Sequence, residues 1–322
     1  MNRREFIGAG ASLVAGTALL DGVALAQQTN IVIATGGTGG VYYPLGGGMG
    51  NILTKHLGYA ATARVTGGSV DNMKLVGSKQ AEMALTQVDA AYDALKGEDK
   101  FKGQPLPIRQ LMVLYPNRMH VVTVDGKGIE KMADLKGKRV STGSPGSATE
   151  VFAFRCIEMA GLDKDKDMRR ERLGVAESTN AIKDGKIDAY FWVGGLPTAA
   201  VTDLAASPGI KIKLIDHTEV VDKMNAKYGD LYTTGVIPPK TYPGQEKDNK
   251  IAVVQNILVA NAAMPDKTAY DIVKTFIEKR DELVAVHGEA KSITLENQVT
   301  KNSPIPWHPG AVKYLNEKGA KM

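Results

Sequence analysis

The chain repeats one local pattern five times: a short strand-like segment, a turn of small or polar residues, and a segment whose apolar residues have helical spacing. The strands are predicted at 31–35, 61–66, 81–87, 138–142 and 187–193, and the helices at 43–57, from 69 onward, 89–95, 148–160 and 198–206. Ser69 and Asp89 stand where the N-caps of the second and third helices belong. Parallel strands need a crossover connection, which is usually a helix. The pattern therefore predicts an α/β fold with a mostly parallel sheet.

Composition limits the domain count and the class of function. The 322 residues are 43% apolar and 23% charged, which is typical of a globular protein, and they leave room for two domains. The net charge of +5 is scattered along the chain, so it gives no support for a nucleic-acid partner. Cys156 is the one cysteine, and its apolar neighbours at helical spacing predict a buried core thiol rather than a reactive one.

The N-terminus has the pattern of a cleaved export signal. Arg3 and Arg4 precede an apolar run at 6–20, and positions 24–26 supply the small residues that a signal peptidase reads. We therefore predict a signal peptide at 1–26 and a periplasmic mature protein. The apolar run is too short for a stable membrane span, so the protein is not expected to be embedded in a membrane. The two arginines leave both the Sec route and the twin-arginine route open.

The loops that follow the predicted strands are rich in glycine, serine and threonine. Ligands of open α/β sheets bind beyond the carboxyl ends of the strands, which is where these loops are expected. Small residues there let backbone N–H groups approach a ligand, and the start of each following helix offers unpaired donors and partial positive charge. Several such helix starts around one crevice predict a site for a small anion, most simply a carboxylate.

Motifs for other kinds of chemistry are incomplete. In the first loop Tyr42 occupies the position of the third glycine of a dinucleotide fingerprint, and no loop continues as a phosphate-binding P-loop. An acidic stretch at 163–167 imitates a calcium loop, but Met168 stands where that loop requires glycine. The five histidines are widely spaced, and no Gly-x-Ser-x-Gly elbow occurs. The sequence therefore predicts no catalytic residue, no metal site and no cofactor.

Seven motifs, in one order along the chain, resemble a known family. They lie at 34–46 (ATGGTGGVYYPLG), 66–72 (TGGSVDN), 134–140 (DLKGKRV), 143–149 (GSPGSAT), 194–198 (GGLPT), 241–245 (TYPGQ) and 304–310 (PIPWHPG). Together they are similar to the TAXI family of extracytoplasmic solute receptors of TRAP transporters, over essentially the whole mature chain. The resemblance implies a two-lobed fold like that of type II periplasmic binding proteins, with the ligand cleft between the lobes. It places the first lobe at 27–121 plus 252–322 and the second at 122–251.

The resemblance also implies a function. The family captures a small organic anion in the periplasm, a glutamate-like amino acid or a C4–C5 dicarboxylate, closes its lobes around the ligand and delivers it to a TRAP membrane permease. We expect a monomer that catalyses no reaction and binds no nucleic acid. Two alternatives stay open. One is a receptor that docks on a signalling protein; the other is an enzyme on the same scaffold, for which Asp89 or His120 is the available base.

The same resemblance, carried over residue by residue, nominates ligand-binding residues in five loops. They are Gly37, Thr38, Gly40, Tyr42, Gly68, Ser69, Asn72, Gln87 and Asp89, followed in the second half of the chain by Ser144, Gly146, Ser147, Thr149, Gly194 and Gly195. Backbone N–H groups and hydroxyls would bind carboxylate oxygens, while Asn72 and Gln87 would recognise polar substituents. A purely structural role as turn, cap or helix entry is the alternative for Gly68, Ser69 and Gly195.

A charged partner for the ligand is sought among three arginines. Arg155 lies on the apolar stripe of the fourth predicted helix, which favours partial burial and makes it the ligand-binding candidate. Pairing with Glu158, three residues later on the helix surface, is the alternative. Arg64 and Arg118 stand near strand ends and are further candidates.

Overall fold

The computed structural model of the protein describes residues 28–299 and 303–322. The predicted signal peptide at 1–26 therefore lies outside the described residues. Among the helices that are described, none combines the length and the apolar character needed to cross a membrane.

The fold is built on one mixed β-sheet. Its ten strands in the described part of the chain are β1 (Asn30–Ala34), β2 (Ala60–Arg64), β3 (Met83–Gln87), β4 (Ile108–Val124), β5 (Arg139–Ser141), β6 (Arg169–Glu171), β7 (Ala189–Gly194), β8 (Ile212–Leu214), β9 (Tyr232–Ile237) and β10 (Asn249–Asn261). Eight of them lie side by side in the order β2-β1-β3-β10-β4-β7-β5-β6, while β8 pairs with β4 and β9 pairs with β10.

Helices cover the sheet. Within the described residues they are α1 (Tyr42–Leu57), α2 (Ser69–Gly77), α3 (Val88–Lys96), α4 (Ala148–Met159), α5 (Val175–Lys183), α6 (Ala199–Ala205), α7 (Val221–Tyr228), α8 (Asp266–Glu278), α9 (Arg280–Val286), α10 (Leu295–Gln298) and α11 (Pro309–Glu317), with short 3-10 helices at 99–101, 132–135, 218–220 and 288–292. All five predicted strand-loop-helix units are present, and their ends differ from the predicted ones by no more than about two residues, which is the usual scatter of such boundaries.

The expectation of a mostly parallel sheet is wrong. Parallel pairing is confined to β1 with β2 and β3, and to β5 with β6 and β7. The other five pairings are antiparallel, and every one of them involves β4 or β10. Neither strand belongs to the five predicted strand-loop-helix units, so the repeated pattern contained no sign of them.

The strands β4 and β10 run through both halves of this two-lobed α/β fold. Residues 108–118 of β4 pair with β10, and residues 118–123 of the same strand pair with β7. In β10, residues 249–254 pair with β9, and residues 256–260 pair with β3. The sheet is therefore continuous. Its first half holds the parallel strands β1, β2 and β3, and its second half holds the parallel strands β5, β6 and β7. The strands β4 and β10 cross from one half to the other.

Apolar side chains fill three clusters. One lies beneath α1, α8 and α11 in the first half and includes Leu45 and Phe276, and another lies in the second half around Tyr190. The third contains residues of both halves, among them Val259 of β10. Cys156 also lies in that third cluster with no exposed surface, and burial raises the pKa of its thiol. The prediction of a buried core thiol is confirmed.

Two valines on paired strands test whether a buried side chain stabilises the sheet more than an exposed one. Val259 in β10 has no exposed surface, whereas Val236 in β9 is 42% exposed. We expect Val259→Ala to lower the free energy of unfolding by about 2 kcal/mol, since about 0.8 kcal/mol is lost for each buried CH₂. Val236→Ala, the matched control, should cost less than about 0.5 kcal/mol. Urea denaturation measures both, and equal costs would contradict the assignment of Val259 to the core.

Candidate functional site

A cavity of about 390 Å³ lies between the two halves of the molecule, at the carboxyl ends of β1 and β3 on one side and of β7 on the other. Its wall consists of residues 36–42, 65–69, 144, 147–149, 172–177 and 192–194, together with Gln87, Tyr115 and Asn117. This volume lies in the range of small-molecule sites. Its position agrees with the rule that open α/β sheets bind ligands beyond the carboxyl ends of their strands.

Eleven of the sixteen nominated residues line this cavity. They are Gly37, Thr38, Gly40, Tyr42, Gly68, Ser69, Gln87, Ser144, Ser147, Thr149 and Gly194. They come from five loops that are far apart in sequence, so the fold brings together the segments that the motif resemblance nominated.

Four helices begin at the cavity wall. Residues at the starts of α1, α2, α4 and α5 all line it. The first N–H groups of a helix have no partner within the helix, and the helix start carries partial positive charge. The cavity is therefore surrounded by amide donors suited to an anion.

The predicted caps of two of the helices are wrong. The N-cap of α2 is Gly68, whose φ of 125° is open to glycine and not to serine; Ser69 is already helical. The hydroxyl of Ser69 instead accepts the backbone N–H of Gln87 at 3.2 Å. In α3 the N-cap is Gln87, and Asp89 lies in the first turn. Ser69 thus fixes the end of β3 against α2.

Ser147 is both a cap and a wall residue. Its hydroxyl accepts the N–H of Glu150 at 3.1 Å and donates to the carbonyl of Ser144 at 2.7 Å. The hydroxyl of Ser144 in turn donates to the carbonyl of Gly67 in the other half of the molecule, at 2.9 Å. These bonds hold the start of α4 against the second loop.

Trp192 closes the cavity from the second half. Its ring lies against Gly40, where a Cβ would be only 2.8 Å from the ring atom Cη2, so a side chain at Gly40 would push the ring away. The indole Nε1 donates to the hydroxyl of Thr198 at 2.9 Å, which fixes the ring. The close approach of the Trp192 ring therefore favours glycine at position 40, in addition to the place of Gly40 in the cavity wall.

Three of the remaining nominated residues lie outside the wall and serve local structure. The side chain of Asn72 donates to the carbonyls of Thr35 and Leu85 at 2.6 and 2.7 Å and accepts from Thr66 at 2.7 Å, so its hydrogen bonds are used within the protein. The carbonyl of Gly146 accepts the N–H of Asp71 at 3.0 Å. The carbonyl of Gly195 accepts the hydroxyl of Thr198 at 2.8 Å. These bonds are all made within the protein, and none of the three residues lines the cavity.

Arg155 and Asp89 also lie away from the cavity, in a buried ionic cluster that joins α4 to α3 and β9. Arg155 is 3% exposed; its guanidinium donates to Asp93 at 2.6 Å and to the hydroxyl of Tyr232 at 2.7 Å, with Asp89 at 4.0 Å. Tyr232 donates to Asp89 at 2.9 Å. The alternative surface pair of Arg155 with Glu158 is also wrong, because Glu158 pairs with Lys227 instead.

Two buried carboxyl groups share one guanidinium in this cluster. Burial raises the pKa of Asp89, against the opposing effect of Arg155. Burial likewise raises the pKa of Asp93 to about 7, with Arg155 lowering it and the nearby Asp89 raising it further. The guanidinium of Arg155 is therefore bonded to buried partners and does not line the cavity.

Neither of the other candidate arginines lies at the cavity. Arg118 donates to Glu289 at 2.7 Å, and Arg64 is exposed at the end of β2; neither lines the cavity. Among the described residues of the wall, only Arg172 and Glu177 carry a charge. Arg172 makes two bonds to the carboxylate of Glu150, at 2.6 and 3.2 Å. An anion in this cavity is thus met mainly by neutral donors.

The inner end of the cavity is polar and uncharged. Tyr42 and Asn117 both donate to the side-chain oxygen of Asn256, Asn117 at 2.8 Å. Burial raises the pKa of Tyr42 and of Tyr115, so both phenols stay neutral. The sequence motifs gave no sign of Asn117 and Tyr115, because these residues lie on the crossing strand β4 and not in a loop.

A sixth strand-loop-helix unit was also missed. Strand β6, the loop at 172–174 and helix α5 supply the wall residues 172–177. Gly174, which is the N-cap of α5, was the available signal. The strand before it is only three residues long and highly charged (RRE), so it lacked the apolar pattern of the other five.

The two residues considered as catalytic bases lie outside the cavity wall. Asp89 belongs to the buried ionic cluster, and His120 is buried on β4 with its Nε2 2.8 Å from the hydroxyl of Tyr242. Burial lowers the pKa of His120 to about 4.

Removing the guanidinium of Arg155 tests how much it stabilises the folded protein with Asp89 and Asp93 buried. We expect Arg155→Met to lower the free energy of unfolding by about 3–5 kcal/mol at pH 8, because Asp89 and Asp93 lose their cation. The matched control is Arg280→Met, at a surface pair with Asp281, which should cost less than about 0.5 kcal/mol. Guanidinium denaturation measures both, and a cost for Arg155→Met as small as that of the control would contradict the cluster's role.

The raised pKa of Asp93 predicts a pH dependence of stability. Between about pH 4, its ordinary unfolded pKa, and about pH 7, the folded state holds a proton that the unfolded state has released. Rising pH therefore lowers the free energy of unfolding across this window. Asp93→Asn should make this decrease in the free energy of unfolding with pH smaller, even if the substitution also destabilises the protein at every pH. The exposed-site control Asp281→Asn should leave the profile unchanged, and an unchanged profile in Asp93→Asn would contradict the prediction.

Comparison with known proteins agrees with this architecture. A solved structure from Bordetella bronchiseptica RB50 superposes with a TM-score of 0.52 at 19% sequence identity, covering 92% of this chain and 82% of that one. A second structure, described as a periplasmic transporter, has a TM-score of 0.51 at 14% identity and covers 92% and 95%. At these identities the likeness concerns the fold. The profile of the NMT1-like family matches residues 33–319, and the chain belongs to the NMT1-like family.

Proposed function

We propose that the protein is a periplasmic solute receptor that binds a small organic anion in this cavity and delivers it to a membrane permease. The observation that carries the proposal is the meeting of four helix starts, from both halves of the fold, around one cavity of about 390 Å³. Their amide donors offer hydrogen bonds and partial positive charge to a carboxylate. The motifs at 34–46 and 143–149 favour the TAXI class of receptor and hence a TRAP-type permease.

The proposed lobes are 27–121 with 252–322, and 122–251. On this division the ligand enters between the lobes, and the contacts across the cavity belong to the closed form. They include the bond from Ser144 to the Gly67 carbonyl, the bond from the Asp71 N–H to the Gly146 carbonyl at 3.0 Å, and the ring of Trp192 against Gly40. Closure of this kind removes water from the anion and strengthens its hydrogen bonds.

Binding without catalysis is the simplest use of this wall. Its described residues include no histidine, cysteine or aspartate, and the arginine in it is paired with Glu150. The neutral phenols of Tyr42 and Tyr115 are held protonated by burial, which raises their pKa. Such groups orient a ligand by hydrogen bonds rather than transferring protons.

Mass spectrometry of small molecules released from the purified mature protein tests the proposal, together with a thermal-shift screen of carboxylic acids. We expect a carboxylate of low mass to be released or to raise Tm. At 100 times its Kd such a ligand stabilises the folded state by about 2.7 kcal/mol. Release of a neutral or cationic compound only, with no carboxylate raising Tm, would contradict the proposal.

A substitution that fills the cavity should weaken binding without disturbing the fold. A Cβ on Gly37, in the cavity wall, would meet nothing within 4 Å, and the same holds for Gly47 in α1, outside the wall. We expect Gly37→Leu to weaken binding of the carboxylate found above at least tenfold, about 1.4 kcal/mol. Gly47→Leu is the matched control and should bind normally. Calorimetric titration measures both, and normal binding by a folded Gly37→Leu variant would place the ligand elsewhere.

A further inference from the structure

Three polar atoms in the wall of the cavity have no hydrogen-bond partner. They are Oε1 of Gln87, Oδ1 of Asn117 and the hydroxyl of Tyr115, and all three side chains are at least 97% buried. Buried polar atoms are nearly always paired, because an unpaired one loses its bonds to water without replacement. These three atoms belong to residues in the wall of one cavity, where a bound ligand can supply the missing partners.

The orientation of Asn117 determines what its partner must be. The oxygen of Asn256 accepts from both the Tyr42 hydroxyl and Nδ2 of Asn117, so the amide nitrogen of Asn117 faces Asn256. The oxygen of Asn117 is therefore the free end of its amide, and an amide oxygen only accepts. Gln87 presents the second unpaired oxygen, at the end of β3, where the Ser69 hydroxyl holds its backbone N–H at 3.2 Å.

We propose that the ligand bears a hydrogen-bond donor, a hydroxyl, amino or amide group, that binds Gln87 and Asn117 while its carboxylate binds the helix starts. The inference rests on the proposed function and narrows it to hydroxy- and amino-substituted carboxylic acids. An unsubstituted dicarboxylate or a keto acid presents only acceptors, in its ionised form, to the two amide oxygens. The hydroxyl of Tyr115 can donate or accept, so it is compatible with either group of ligands and does not decide between them.

Four acids of one chain length test the proposal. Calorimetric titration compares glutarate with 2-hydroxyglutarate, and 2-oxoglutarate with glutamate. In each pair the second acid adds a donor to a similar carbon skeleton. We expect each donor-bearing acid to bind the wild-type protein at least tenfold more tightly than its partner.

Gln87→Met, which removes the amide oxygen at similar length, should reduce that preference to less than about threefold. Gln104→Met, at an exposed position outside the cavity, is the matched control and should keep it. If Gln87→Met does not fold, the affinities of the four acids for the wild-type protein are sufficient to test the proposal. Equal affinities within both pairs, or an unchanged preference in folded Gln87→Met, overturn this inference and leave the proposed function intact. Failure of all four acids to bind also overturns this inference, whereas the release experiment and the carboxylate screen above decide on the proposed function.

Discussion

The N–H groups at the starts of α1, α2, α4 and α5 are the feature on which the account of this site depends. The first N–H groups of each helix have no partner within the helix, and the fold directs four of these helix starts at one cavity. Such donors are fixed by the backbone, so they need no reorganisation when an anion arrives. They also bind without a full charge, so the cavity avoids burying a free cation when it is empty.

The arginines near the site have structural partners, which agrees with that arrangement. Arg155 neutralises the buried Asp89 and Asp93 between α4 and α3, and Arg172 makes two bonds to Glu150. Both arginines hold segments that end at the cavity. The polar inner end, with its unpaired amide oxygens, then provides selectivity that a single arginine would not, because an arginine binds any carboxylate.

Much of the fold and of the site was predictable from local patterns. Strand-loop-helix units and small-residue loops are local features, and their loops make most of the cavity wall. The crossing strands β4 and β10 were not found because they lie outside the five predicted strand-loop-helix units, although α8 does follow β10. Tyr115 and Asn117 were missed for the same reason. Arg155 could not be placed because its position in the helix allowed a local pair with Glu158, whereas tertiary packing brings Asp93 within 2.6 Å.

The central claim is that backbone amides of the helix starts hold the anion. The most direct test is a titration of the ¹⁵N-labelled protein with the carboxylate identified by mass spectrometry, in which NMR records the chemical shifts of the backbone amides. We expect large downfield proton shifts, typical of new hydrogen bonds, at Ser69, Val70, Ala148 and Thr149, which begin α2 and α4. If the shifts of these amides stay unchanged and the largest shifts occur around an arginine instead, the proposal is contradicted.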